Sequence, residues 1–261
     1  MPSGVACLEG AAMRPVRTGF TLIELLVVIA IIALLIGILL PSLSGARDSA
    51  RSVRCLSSMR SLGMAMGLYS DDHKDLIPRS KHSIGFSAEL TWAPQLFEYL
   101  TGLPFEGDSD LWQSDSWWSA TNEFYRCAHD RRESPIEQAG LPFSMAAISY
   151  GKNVYFELRR QEFEPELFSG DLSVPYRKRS SVPHPSVTIL LGEMKEERSA
   201  DHIMSHLWRT RGVTAGDEVA TERHGDGAGY LFLDGHASTR AFAEMYDAEN
   251  SRDQWYPAMA R

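Results

Sequence analysis

Several side chains in this sequence are of the types that do chemistry. His224, Asp226, Asp234 and His236 lie close together near the C-terminus, and imidazole with carboxylate can bind zinc or another divalent ion. No spacing among them matches an established ligand motif, so no metal or other cofactor is assigned. The alternative reading is structural. Asp234-Gly235 between two strand-like runs is a hairpin signal, because glycine accepts positive φ; Gly225, Gly227 and Gly229 give the preceding turn similar freedom, and His224 would hydrogen-bond across the hairpin and pin that turn. His202 and His206 stand four apart, as ligands on one helix face would, but the glutamate of H-E-x-x-H is missing. That disfavours a zinc protease and leaves a surface pair. Trp112, Trp117 and Trp118 read either as a ligand platform or as cover for the core or a subunit contact. The three cysteines, Cys7, Cys55 and Cys127, are too few for a disulfide scaffold and lack metal-finger spacing. No catalytic residue is assigned, and the chain is read as a non-enzyme.

These residues must be positioned by a chain of 261 residues that is 44% hydrophobic and 23% charged, with a net charge of −8. Length and composition suit one substantial domain or two small ones and exclude a multi-span membrane protein. The acidic balance, without a basic stripe, argues against a nucleic-acid partner. The average hides a strong local bias. Phe20 to Leu40 is an apolar run of 21 residues whose single charge is Glu24, and as a helix it would span about 31 Å, the thickness of a bilayer core. A cleaved secretory signal competes, with Ser44-Gly45-Ala46 as its cleavage site, but the run is too long and carries an acid near its start. A plain anchor gives no reason for Glu24, whose burial in lipid costs roughly 2–3 kcal/mol or more.

Beyond the run, apolar positions recur every three or four residues at Leu43, Ala46, Ala50, Val53, Leu56, Met59, Leu62, Ala65/Met66 and Tyr69, which predicts an amphipathic helix. Asp71–Asp75 and Pro78 end it. Residues 92–100 read as a short helix, 104–123 as a loop, and 157–181 as a charged, irregular insertion. Short strands are expected at 147–156, 186–192, 229–233 and 236–242 from alternation and β-branched or aromatic content.

Arg17-Thr18-Gly19-Phe20-Thr21-Leu22-Ile23-Glu24 resembles the type III signal of the type IV pilin and type II secretion pseudopilin superfamily. The resemblance implies cleavage between Gly19 and Phe20 by a prepilin peptidase, and methylation of the new amino-terminal Phe20 by the same enzyme. Glu24 becomes the fifth mature residue, whose carboxylate meets the methylated amine of a neighbouring subunit. Pro41 takes the place of the proline that kinks the long helix in many members. A buried, matched pair costs far less than an isolated buried charge, which accounts for the acid. The segment from His224 to Gly235 is similar to the H-x9-D-G motif of a subgroup of prepilin-like proteins of unassigned function. Arg126-Cys127-Ala128-His129-Asp130 resembles that subgroup's R-C-P-x-D segment, with alanine in place of proline.

The family resemblance implies an α+β fold, a long N-terminal helix packed on an antiparallel sheet. The implied organisation is a leader over 1–19, the membrane half of the helix over 20–41, its amphipathic half over 42–72, and an extracytoplasmic domain over 73–261. The implied location is the inner membrane, single-pass, with the N-terminus in the cytoplasm; the implied partners are the peptidase and other pilin or pseudopilin subunits. Basic residues counted alone point the other way: Arg14 and Arg17 precede the span, and Arg47, Arg51, Arg54 and Arg60 follow it. Translation from Met13 would give a short basic leader and omit Cys7. With a domain outside the cytoplasm, Cys55 and Cys127 read either as a disulfide or as two small buried hydrophobes. A rival reading of the whole is a tethered binding or metal-dependent hydrolytic module that uses the signal only for export.

Overall fold

The computed structural model describes residues 21–84, 91–104, 114–132, 148–198 and 200–261. Helix α1 runs from Leu22 to Asp72 and continues through Pro41. The chain divides into two units, residues 1–47 and 48–261. In the first, every described residue is exposed, and α1 is long and apolar enough there to cross a membrane. Gly19 and the cleavage bond lie outside the described residues.

In the second unit α1 becomes a core element. Its buried face carries Cys55, Met59, Leu62 and Met66, spaced four, three and four residues apart as one helix face requires. The stripe expected from the sequence begins too early: Leu43, Ala46, Ala50 and Val53 are exposed. Burial starts only where the globular body covers the helix, and that boundary is a property of the partner surface.

The sheet holds β1 (Tyr150–Asn153), β2 (Ile189–Glu193), β3 (His202–Ile203), β4 (Ala228–Phe232) and β5 (Ala237–Arg240), in the order β3-β1-β2-β4-β5. A separate pair joins β6 (Tyr246–Asp247) to β7 (Arg252–Asp253). All four expected strand regions are present: β1 and β5 are shorter at both ends, β2 starts later and ends one residue beyond, and β4 is shifted by one residue. The sheet is mixed: β1 pairs with β2, β2 with β4 and β4 with β5 antiparallel, but β1 pairs with β3 in parallel. Two residues of β3 carry no alternation that a sequence could display. β1, β2 and β4 are buried along their whole lengths; that matches the apolar runs of β2 and β4, whereas β1 buries Lys152 and Asn153.

The region read as a loop at 104–123 contains a helix, Asp115–Ala120, capped by Ser114, whose hydroxyl accepts from the Trp117 amide at 3.2 Å. Trp117 is buried and stacks on Tyr125 at 5.6 Å, and Trp118 packs against the core. The ligand-platform reading therefore fails for Trp117, whose faces are taken by protein; Trp112 lies outside the described residues. The insertion at 157–181 is irregular apart from single helical turns, yet it is anchored by buried Phe163 and Tyr176.

Candidate functional site

At the N-terminal end, Glu24 has a local role that the sequence reading missed. Its Oε2 accepts from the Thr21 amide at 2.8 Å and from the Thr21 hydroxyl at 2.9 Å, while the Glu24 amide donates back to Thr21 Oγ1 at 3.2 Å. This is a capping box, T-x-x-E, which satisfies amides that the first helical turn leaves without partners. The signal was legible as a threonine three residues before a glutamate.

The main cluster lies in the globular body and draws on four separate segments. Cys55 comes from α1, Cys127 from the segment after the helical turn that ends at Tyr125, Glu193 from the end of β2, and His224 from the turn before β4. Their donor atoms all lie within 4.8 Å of one another. Cys55 and Cys127 are closed as a disulfide with Cα atoms 4.9 Å apart, inside the range such bridges require. Both cysteines are buried. His224 Nε2 sits 3.0 Å from Glu193 Oε1 and 3.5 Å from Cys127 Sγ. The other carboxylate oxygen of Glu193 accepts from the Gly229 amide at 2.8 Å. On the far side of the imidazole, Nδ1 lies 3.2 Å from Ser52 Oγ, and Ser52 Oγ is also 3.2 Å from His129 Nε2. Ser52, His129 and His224 face a cleft of about 650 Å³.

A second network locks the neighbouring segment. Asp130 accepts from Arg132 Nε at 2.7 Å and from Ser149 Oγ at 2.6 Å, and Arg223 Nη2 lies 3.5 Å away. Burial pushes the Asp130 carboxyl up, but the Arg223 and Arg132 guanidiniums, with the Ser149 hydroxyl, outweigh it and hold it below the usual range. Arg223 immediately precedes His224, so the R-C-A-H-D segment and the start of H-x9-D-G are joined twice, once through charge and once through the cysteine cluster.

The two ends of H-x9-D-G serve different places. The His224 imidazole does not bond across the β4–β5 hairpin but reaches Glu193 of β2, while the His224 amide donates to the Gly227 carbonyl at 2.9 Å and closes the preceding turn. The Asp234–Gly235 turn is a three-residue loop, in which the Gly235 amide donates to the Phe232 carbonyl at 2.9 Å and Gly235 takes φ +94°. Asp234 Oδ1 stays local, accepting from the His236 amide at 3.0 Å and lying 2.6 Å from His236 Nδ1. The proposed set His224, Asp226, Asp234 and His236 therefore does not converge. Among the described residues, the donors that do are Cys55, Cys127, Glu193 and His224.

The expected pair on one helix face is also corrected. His202 lies on β3 and His206 opens a short helix, His206–Thr210. Both meet His82 edge-on, at 5.5 and 5.9 Å between ring centres. His202 Nδ1 is bound to Asp201 at 2.8 Å. Burial, with the neighbouring His82, pushes His206 down to about 4, so His206 is a packing residue and not half of a ligand pair.

Residues 14–40 match the family described as the prokaryotic N-terminal methylation motif. No curated protein and no solved structure matches the chain. The match covers the signal and the apolar half of α1. Together with the sheet, among the described residues this gives a pilin-like α+β chain whose N-terminal helix is long and apolar enough to cross a membrane.

Proposed function

We infer that this chain is a minor pilin or pseudopilin subunit of a type IV pilus or a type II secretion system. A prepilin peptidase on the cytoplasmic side cuts between Gly19 and Phe20 and methylates Phe20. The apolar half of α1 then holds the subunit in the inner membrane, with residues 73–261 outside the cytoplasm, until it joins other pilin or pseudopilin subunits. The chemistry is performed on the protein rather than by it.

The methylation motif at 14–40 carries this reading. Two structural features support it. The apolar half of α1 is exposed along its length, so it needs lipid or neighbouring helices to cover it. The capping bonds of Glu24 both fall on Oε2, so the same carboxylate can cap its own helix and pair with a neighbour's amine through Oε1. The size of the globular body favours a minor or pseudopilin-like subunit over a major one.

N-terminal mass spectrometry of the membrane-extracted protein tests the reading. An N-methylated Phe20 is expected. An N-terminus at Arg47, left by an ordinary signal peptidase, would defeat it.

A further inference from the structure

The cysteine cluster contains more donor chemistry than a disulfide uses. A disulfide needs neither Glu193 nor His224, yet both are buried beside it: their side chains are 0% and 2% exposed. Amides also point at the sulfurs, Ala128 N–H to Cys55 Sγ at 2.9 Å and His129 N–H to Cys127 Sγ at 3.5 Å. A charged thiolate gains more from such donors than a neutral disulfide sulfur does.

Hydrogen accounting around His224 points the same way. With the Ser52 hydroxyl hydrogen on the Asp48 carbonyl, 3.1 Å away, Ser52 Oγ meets His224 Nδ1 as an acceptor, which selects the tautomer protonated on Nδ1. In that tautomer Nε2 turns a lone pair toward Glu193 Oε1 and Cys127 Sγ. Lone pairs facing each other at 3.0 Å need a positive centre between them, a proton or a cation. A hydrogen bond that fixes the tautomer of a ligating histidine, and another that holds the far oxygen of a ligating carboxylate, are the outer supports that metal sites use.

We propose that Cys55, Cys127, Glu193 and His224 form a Zn2+ site in the dithiol form of the chain, with the disulfide as the metal-free alternative of the same cluster. Two thiolates, one imidazole and one carboxylate complete a tetrahedral zinc shell. Ligands at zinc bond lengths stand about 3.3–3.8 Å apart, within the 4.8 Å that already contains all four donors. A thiol reductant first supplies two electrons and two protons to turn the disulfide into the dithiol; Zn2+ binding then sends the two thiol protons and the proton shared by Nε2 and Glu193 to solvent, with no further electron transfer. The mixed donor set selects Zn2+, since thiolates disfavour Mg2+ and Ca2+, while imidazole and carboxylate suit zinc better than an iron–sulfur cluster. The cleft beside Ser52, His129 and His224 is the entry path.

Full-length protein in detergent, reduced with a phosphine under nitrogen and titrated with Co2+, reads the site optically. Expected are sulfur-to-cobalt charge-transfer bands that saturate at one ion per chain and are bleached by Zn2+. His224→Ala and Glu193→Gln, checked for native circular dichroism, should bind at least about tenfold more weakly, and the oxidised protein should give no band. A folded, reduced wild-type chain without these bands overturns the proposal. So does undiminished binding by both folded variants, which would mean that the cysteines alone take the ion. If the variants do not fold, the wild-type titration decides by itself. A reduced chain that unfolds and is not restored by Zn2+ also counts against the site.

Discussion

Gly63 of α1 rests on Gly235 of the β4–β5 turn. A Cβ at Gly63 would stand 3.1 Å from Gly235 Cα, 3.2 Å from its carbonyl oxygen and 2.9 Å from Leu231 Cδ1. Two of those neighbours are backbone and cannot swing aside. The D-G end of the H-x9-D-G motif is thus a docking point for the long helix as well as a turn.

Gly63→Ala should destabilise the protein despite the better helix propensity of alanine. The propensity gain is about 1 kcal/mol, and forcing a methyl into a packed contact typically costs about 1–3 kcal/mol. A net loss of about 1 kcal/mol, read as a lower urea midpoint, is expected. Gly235→Ala should cost about 1–2 kcal/mol for a different reason, its positive φ, since a Cβ there meets nothing within 4 Å. An unchanged midpoint in Gly63→Ala would show that the turn can recede from the helix.

The fully buried pair of Lys152 and Glu157, 2.8 Å apart, should show strong coupling. Burial pushes the Glu157 carboxyl up, but Lys152 and the Ser80 and Ser83 hydroxyls hold it down at about 2. Lys152→Met leaves that carboxylate buried without its counter-charge and should cost about 3–5 kcal/mol. The double variant Lys152→Met/Glu157→Gln keeps an acceptor for the serines and removes the charge, so it should regain at least half of the loss. Additive effects in the double-mutant cycle would refute the coupling.

Acidification should weaken the fold through His206. Burial, with His82 beside it, lowers the folded value to about 4 from an ordinary 6.5. Between those values the unfolded chain takes up a proton that the folded chain refuses. Stability from this group is complete above about pH 6.5 and falls as the pH drops toward 4, by about 3 kcal/mol in all. His206→Phe, which keeps a ring against Tyr155 and His82, should flatten that part of the profile of urea midpoint against pH. A slope identical to wild type would show that another group carries it.

Much of the N-terminal half was legible because its determinants are local. The apolar run sets a helix and its medium by composition alone, and the charged, turn-forming residues after Tyr69 set its end: Lys74 and Asp75 adopt positive φ just past Asp72. The Asp115–Ala120 helix was missed because its aromatic and serine-rich sequence has weak propensity. It stands because Trp117 is buried against Tyr125 and Phe97. The short parallel strand β3 was invisible for a similar reason, since His202 and Ile203 are held by pairing with Lys152 and Asn153.

By itself, then, the sequence determined the signal, the membrane-length helix and the turn at Asp234–Gly235, each written in residues that are neighbours along the chain, while the α+β class came through the family that the signal resembles. Only the tertiary structure decided where burial on α1 begins, that His224 turns to Glu193 instead of its own hairpin, and that Cys55 and Cys127 meet beside both. The His224–Glu193 and Cys55–Cys127 contacts join residues 31 and 72 positions apart. Such distances are closed by sheet pairing and helix docking, which composition and periodicity along a chain do not encode.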